Sequence, residues 1–174
     1  MIHIAQNHKG NLSDFLSRFA YQPALTAKLD ALAGQAFSQD TINEIVLWKV
    51  NRYAPPDAIR SALHTLGALQ AQKHRDGEQV LDQLLACDGV DLPMASTFLR
   101  FHAPDVFQII DRHAYRAVFG VAYPLYPASN SQLKVSTYFD YLDALHQLAQ
   151  SSGAQFRDLD RILYVFDKEQ NGTL

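Results

Sequence analysis

Apolar residues recur along most of the chain at the three- and four-residue spacing of an amphipathic helix, and no stretch alternates convincingly as a strand does. Glycine and proline separate these periodic stretches. The pattern therefore predicts an all-α protein. The predicted helices cover residues 11–19, 24–32, 40–53, 57–69, 80–85, 114–118, 131–149 and 156–168, with one more helix after Asp91.

Short polar residues stand before several of these helices. Asn11 and Asp40 are each placed to accept hydrogen bonds from the free N–H groups of a first helical turn, and Asp57 opens the helix after Pro56. Pro55 and Pro56 end the third predicted helix, since proline lacks the N–H that a helix interior needs. The sequence thus predicts short amphipathic helices with defined ends.

Composition narrows the class of protein. A chain of 174 residues with 48% apolar content is long enough to bury the core of one globular domain. The net charge of −3 argues against a wide basic surface, so any contact with nucleic acid must come from a local patch. A single cysteine, Cys87, excludes an internal disulfide and any site built from several thiolates.

The N-terminus is polar where a signal peptide needs an apolar run, and no segment approaches the roughly 18 to 20 apolar residues of a membrane span. We therefore expect a cytoplasmic protein without a membrane partner. Nothing in the sequence demands an oligomer, and we expect a monomer.

The segment 86–116 places a glycine turn between two helical patterns. Gly89 can take the positive φ that such a link demands, and Val90 can pack back between the two helices. Asp91 is placed to cap the next helix, where Pro93 is tolerated in the first turn. Free N–H groups at this turn can bind a phosphate, and its carbonyl groups can bind a cation. The same turn also occurs as a plain structural link in helical bundles.

Two stretches carry a resemblance to a known family. D-G-V-D-L-P-M-A-S over residues 88–96, followed by I-I-D-R-H-A-Y-R over residues 109–116, resembles the helix-hairpin-helix DNA glycosylase superfamily, which includes endonuclease III and adenine glycosylase. The family pattern is roughly L-P-G-V-G-x-x-T-A, then a helix, then V-D-x-H-V-x-R. The separation of Gly89 from Asp111 matches the family spacing, and His113 falls on the family's histidine.

The resemblance is specific over residues 84–120 and faint elsewhere. It implies a single domain that forms a two-lobed helical bundle with a helix-hairpin-helix motif. Lobe A would span about residues 36–119, and lobe B would combine residues 1–35 with residues 120–174. The four-cysteine iron–sulfur element of some family members is absent from this sequence.

By this resemblance Asp111 is the catalytic carboxylate, at the mouth of a cleft that admits an extruded nucleotide. As the base departs, the sugar acquires oxocarbenium character, and a nearby carboxylate stabilises that charge or orients the attacking water. Asp111 also stands where a helix cap is expected, and one carboxylate can serve both purposes.

Other residues are candidates for contact with DNA. The resemblance places Asn51 at the position that probes the duplex, at the end of an early helix. Basic side chains can pair with phosphates and aromatic rings can stack on an extruded base. The candidate DNA contacts are Gly89, Val90, Asp91, Asn51, Lys49, Arg52, Arg112 and Arg116, and the candidate base pocket is Trp48, Tyr53 and Tyr123.

The sequence departs from the family pattern at two positions. Pro93 stands where members that also cut the sugar backbone carry a Schiff-base lysine, so the implied chemistry is base excision by water. Asp91 replaces the second hairpin glycine and adds a negative charge where a phosphate is expected. A bound monovalent cation could neutralise it, and we expect no other cofactor and no metal.

The sequence therefore predicts a monofunctional DNA glycosylase that acts on a damaged or modified base. Uracil, alkylated purines, oxidised pyrimidines and hypermodified bases all remain candidates, in repair or in attack on foreign DNA. The alternatives are a non-catalytic helix-hairpin-helix module that binds DNA or a protein, and a structural helical adaptor. Catalysis requires Asp111 to face an open cleft, whereas a binding module allows a buried cap.

Overall fold

The structure is a computed structural model that describes Leu16 and residues 21–32, 37–49, 56–66, 70 and 72–172. Over these residues the chain forms α-helices and no strand, which confirms the predicted all-α class. Short 3₁₀ turns precede the fourth and the eighth helix. The helices are α1 (Pro23–Asp30), α2 (Gln39–Lys49), α3 (Pro56–His64), α4 (Glu78–Leu85), α5 (Leu92–His102), α6 (Arg112–Phe119), α7 (Ser131–Ser152) and α8 (Leu159–Asn171).

The chain groups into two compact units, residues 1–53 and residues 54–174. In the first unit α1 packs against α2. The indole Nε1 of Trp48 donates a 2.9 Å hydrogen bond to the hydroxyl of Thr26, and Lys28 pairs with Glu44 at 2.6 Å. These polar contacts link α1 to α2, and Leu25 of α1 is buried.

Helix α7 is the central element of the second unit. It begins where the side chain of Asn130 accepts a 2.8 Å hydrogen bond from the N–H of Leu133. It ends at Gly153, whose φ of 74° is the left-handed conformation that glycine adopts without strain. The residues of α7 that are almost fully buried in the core are Tyr138, Phe139, Tyr141, Leu142 and Leu145.

The remaining helices of this unit supply the other side of the same core. Complete burial of one large apolar side chain contributes about 1.5–3 kcal/mol, so this shared core dominates the unit's stability. Helices of both predicted lobes contribute to it, and the division into lobes stays a prediction. The fully buried residues outside α7 include Leu81, Leu84, Leu92, Leu99, Phe107, Ile110 and Leu159.

The cap predicted at Asp40 is wrong. Helix α2 begins before Asp40, and the hydroxyl of Ser38 accepts the 3.2 Å hydrogen bond from the N–H of Thr41 instead. Asp57 lies in the first turn of α3, as the sequence predicts, and pairs with Arg60 at 3.3 Å. Serine caps a helix about as well as aspartate, so residue type alone could not show whether Ser38 or Asp40 is the cap.

The ends of the helices also differ from the predicted bounds. The last predicted helix, residues 156–168, is a 3₁₀ turn followed by α8, which continues to Asn171. The predicted helix over residues 11–19 lies outside the described residues except for Leu16, and so does the end of the predicted helix over residues 57–69. None of the described helices combines the length and the apolar composition that a membrane span requires.

Candidate functional site

The turn between α4 and α5 has the local geometry that the sequence predicts. Gly89 takes a φ of 78°, and Val90 is buried with 7% of its surface exposed. The side chain of Asp91 caps α5 and accepts a 2.8 Å hydrogen bond from the N–H of Leu92. The N–H of Val90 donates to the carbonyl of Cys87, so this amide is already bonded within the turn.

The negative charge of Asp91 has a cationic partner that sequence reasoning missed. The Nζ of Lys134, on α7, lies 2.7 Å from a carboxylate oxygen of Asp91 and also donates to the carbonyl of Pro127 at 2.9 Å. The Lys134 side chain is almost buried. An ammonium group therefore supplies the positive charge for which the sequence suggested a monovalent cation.

Beyond α5 the chain runs in an extended segment toward Asp111, and two buried tyrosines of α7 hold it. The hydroxyl of Tyr138 donates to the carbonyl of Gln108 at 2.9 Å, and the hydroxyl of Tyr141 donates to the carbonyl of Ile109 at 2.9 Å. Burial raises the pKa of both hydroxyls well above its ordinary value, so both stay protonated as donors. The backbone just before Asp111 is therefore fixed to the core.

A side chain of α5 and a backbone N–H of α8 also bond this segment. The N–H of Ile110 donates to the hydroxyl of the buried Ser96, on α5, at 3.2 Å. The amide of Gln108 donates to the carbonyl of Pro104 and accepts from the N–H of Asp160, on α8. The polar backbone groups of residues 108–110 thus bond to buried side chains, since the described part of the chain has no neighbouring strand to pair with them.

Asp111 follows this segment and begins α6. One of its carboxylate oxygens accepts a 2.7 Å hydrogen bond from the N–H of Ala114, so Asp111 is the cap that the sequence predicts. The residue is only partly buried. Its position is set by the fixed backbone before it and the helix after it.

Asp111 lines an open cleft of about 280 Å³. Most of the cleft wall comes from α8, a helix to which the sequence assigned no part in the site. The residues that line the cleft are Ile109, Asp111, Asp160, Arg161, Tyr164 and Val165. Asp111 is therefore both a cap and a residue that faces a cleft.

The two carboxylates of the cleft have different surroundings. Asp160 lies 3.2 Å from the guanidinium of Arg100, and both side chains are less than a tenth exposed. Among the described residues, no cation lies within ion-pair distance of Asp111. Asp111 is thus the carboxylate of the cleft that has no ion-pair partner among the described residues.

Behind the cleft, a buried carboxylate ties α6 to α8. Asp167 is completely buried and accepts hydrogen bonds from Arg116 at 2.8 and 2.9 Å, from His113 at 2.7 Å and from Asn171 at 2.8 Å. The bond with Arg116 is the main reason that the pKa of Asp167 lies well below its usual range. His113 and Arg116 are therefore both held by one carboxylate inside the protein.

The remaining candidates have diverse surroundings. Arg112 is exposed. Tyr123 packs edge-on against Tyr115 at 5.4 Å, and burial together with the charge of Asp91 raises its pKa. Trp48 is bonded to Thr26 within the first unit. The Lys49 side chain and the residues Asn51, Arg52 and Tyr53 lie outside the described part of the structure.

Within the described residues, no three His, Cys, Asp or Glu side chains are grouped as a metal site requires. Comparison of the chain with protein-family models, with curated proteins and with solved structures gives no match.

Proposed function

We propose that the protein is a monofunctional DNA glycosylase that hydrolyses the bond between a damaged or modified base and its sugar, with Asp111 as the catalytic carboxylate. The observation that carries the proposal is that Asp111 faces the open cleft while it also caps α6. A buried cap would have favoured a purely structural role.

The surroundings of Asp111 suit this chemistry. As the bond to the base breaks, positive charge develops on the sugar, and a fixed carboxylate stabilises it or orients the attacking water. Asp160 is neutralised by Arg100, so Asp111 is the group that offers its charge to a ligand in the cleft. The core contacts of residues 108–110 hold this carboxylate in place, as preorganised electrostatic stabilisation requires.

Pro93 bears on the type of reaction. At this position the enzymes that cut the sugar backbone need a lysine amine, and proline has none. The proposed product is an abasic site in an intact strand. By the resemblance of residues 88–96, the turn around Gly89, next to Asp91 and its partner Lys134, is proposed as the anchor for the DNA backbone.

The test is base release from a panel of duplex and single-stranded DNAs that carry uracil, alkylated, oxidised or hypermodified bases. Asp111→Asn is the informative variant because asparagine also caps a helix, so the fold is kept while the charge is lost. Asp105→Asn is the matched control, since Asp105 is exposed and does not line the cleft. We expect strand breaks only after alkali, a loss of at least a hundredfold in Asp111→Asn and no loss in Asp105→Asn, on the order of the effects known for electrostatic catalytic groups.

A non-catalytic DNA- or protein-binding module is the second candidate. It is favoured by the hydrogen bond from Ala114 to Asp111, which gives this carboxylate a structural purpose without any reaction. Salt-dependent binding of DNA without base release from any member of the panel would select this module over the enzyme.

A further inference from the structure

Much of the wall of the cleft that Asp111 lines comes from α8. Arg161, Tyr164 and Val165 stand three and four residues apart and therefore share one face of the helix. Tyr164 is 40% exposed and Val165 is 51% exposed, so this face is open to solvent. The core of the protein does not need these side chains.

The ring of Tyr164 is held by two neighbours although much of it is exposed. The ring of His113 meets it edge-on with centroids 5.0 Å apart, and the Nζ of Lys168 lies 5.0 Å from its centroid. His113 is itself fixed by the buried Asp167. Tyr164 thus offers the cleft an aromatic surface in a set orientation.

Arg161 differs from two buried or partly buried arginines of the same unit, Arg100 and Arg116. Arg100 is paired with Asp160, and Arg116 is paired with Asp167. The backbone N–H of Arg161 donates to Asp160 at 2.7 Å, which fixes its main chain. Its exposed guanidinium has no hydrogen bond or ion pair with any described residue. This guanidinium is therefore available for an anion at the edge of the cleft.

The cleft combines a carboxylate, an aromatic ring and a guanidinium in about 280 Å³. That volume lies just below the usual range for ligand sites, about 300–1,000 Å³, and suits one nucleoside better than a longer segment of nucleic acid. We propose that Tyr164 stacks on the extruded base and that Arg161 pairs with the adjacent phosphate. The proposal depends on the proposed DNA glycosylase function and adds α8 as the element that holds the nucleotide.

The test uses a labelled duplex with one 2-aminopurine opposite cytosine, since the fluorescence of this base reports whether it leaves the stack. We expect Tyr164→Ala to weaken binding about tenfold and to reduce the fluorescence change. The reason is that stacking of one base on an aromatic ring raises affinity by about a factor of ten. Tyr164→Phe keeps the ring and should bind like the wild type. Tyr126→Ala removes an exposed tyrosine that does not line the cleft and is the matched control.

Arg161→Gln should weaken binding and lower the slope of log K against log salt by about one, as the loss of one phosphate contact does. Arg60→Gln, which changes an exposed arginine on α3, should leave the slope unchanged. Melting temperatures close to that of the wild type show that each variant is folded.

The proposal is overturned if Tyr164→Ala and Arg161→Gln bind like their controls, whether or not bases are released from the panel. It is also overturned if the wild type does not bind the duplex. If both variants lose binding while no base is released from the panel, the proposed glycosylase reaction is wrong. The assignment of α8 as the nucleotide-binding wall then still holds.

Discussion

The hydroxyl of Tyr141 donates a 2.9 Å hydrogen bond to the carbonyl of Ile109, which lies on the extended segment that leads to Asp111. Tyr141 is fully buried in α7 and Ile109 lines the cleft. One side chain therefore connects the core of the second unit to the backbone beside the candidate carboxylate. Damage to this contact should affect both stability and the geometry of the cleft.

Tyr141→Phe removes the hydroxyl and leaves the carbonyl of Ile109 without its donor. We expect the free energy of unfolding to fall by about 1–3 kcal/mol, the cost of a partly buried polar group that loses its partner. Urea unfolding followed by circular dichroism measures this change. Tyr126→Phe, at a tyrosine that is 71% exposed, is the control and should unfold like the wild type. Equal midpoints for the two variants would contradict the prediction.

The ionisation of Asp167 should make the stability of the folded protein depend on pH in the acid range. Its pKa is depressed in the folded protein, chiefly by the hydrogen bond from Arg116, so the unfolded chain binds a proton at a higher pH than the folded one. The stabilisation is present above the ordinary pKa of 3.8 and is lost as the pH falls below it. The gap in stability between the wild type and Asp167→Asn should therefore shrink as the pH drops below about 4.

Urea unfolding of both proteins at several pH values between about 6 and 3 measures this gap. Asp105→Asn, at an exposed carboxylate, separates the contribution of Asp167 from the general effect of acid on the protein. A difference in stability that stays constant over the whole pH range would show that folding does not lower the pKa of Asp167.

The parts of this fold that follow from neighbouring residues could be predicted from the sequence. The positive φ of Gly89 and the capping by Asp91 and Asp111 depend on the few residues around each position. The all-α class follows from periodicity for the same reason. Even here the choice between Ser38 and Asp40 as a cap was decided by which backbone N–H groups lie within reach.

The surroundings of the candidate site could not be predicted in this way. Tyr141 contacts a carbonyl 32 residues away in sequence, and the N–H of Asp160 contacts a side chain 52 residues away. In the sequence, Tyr164 and Arg161 are ordinary members of a helix with mixed apolar and charged residues. Only the packing of α8 against α6 brings them to the cleft.

A second group of titratable residues lies away from the cleft. The ring of His146 stacks on Phe156 with centroids 4.1 Å apart and on His74 at 4.8 Å, while His74 pairs with Asp143 at 2.7 Å and Asp143 also bonds Arg75. Burial is the main cause that lowers the pKa of His146, and the neighbouring His74 adds to it. The folded protein thus favours the neutral form of His146.

Acidification should therefore destabilise the protein through His146. The unfolded chain takes up a proton near the ordinary pKa of 6.5 while the folded protein resists it, so stability is complete above that pH and declines below it. His146→Phe keeps a ring on Phe156 and should flatten the dependence of stability on pH between about 7 and 5. Urea unfolding measures the profile, and His102→Gln, at an exposed histidine, is the control. Parallel profiles for the wild type and His146→Phe would contradict the prediction.

The ion pair between Asp91 and Lys134 allows a test of the hairpin itself. Lys134→Met removes a nearly buried cation and leaves the charge of Asp91 unpaired, so we expect a clear loss of stability. Asp91→Asn keeps a capping side chain but removes the charge. Since the double variant has neither charge, it should be more stable than the sum of the single losses predicts, by about 0.5–3 kcal/mol. A double-mutant cycle of urea unfolding measures this coupling. Additive losses would mean that Lys134 stabilises the protein through packing and its bond to Pro127, and that the charge of Asp91 is neutralised by another group.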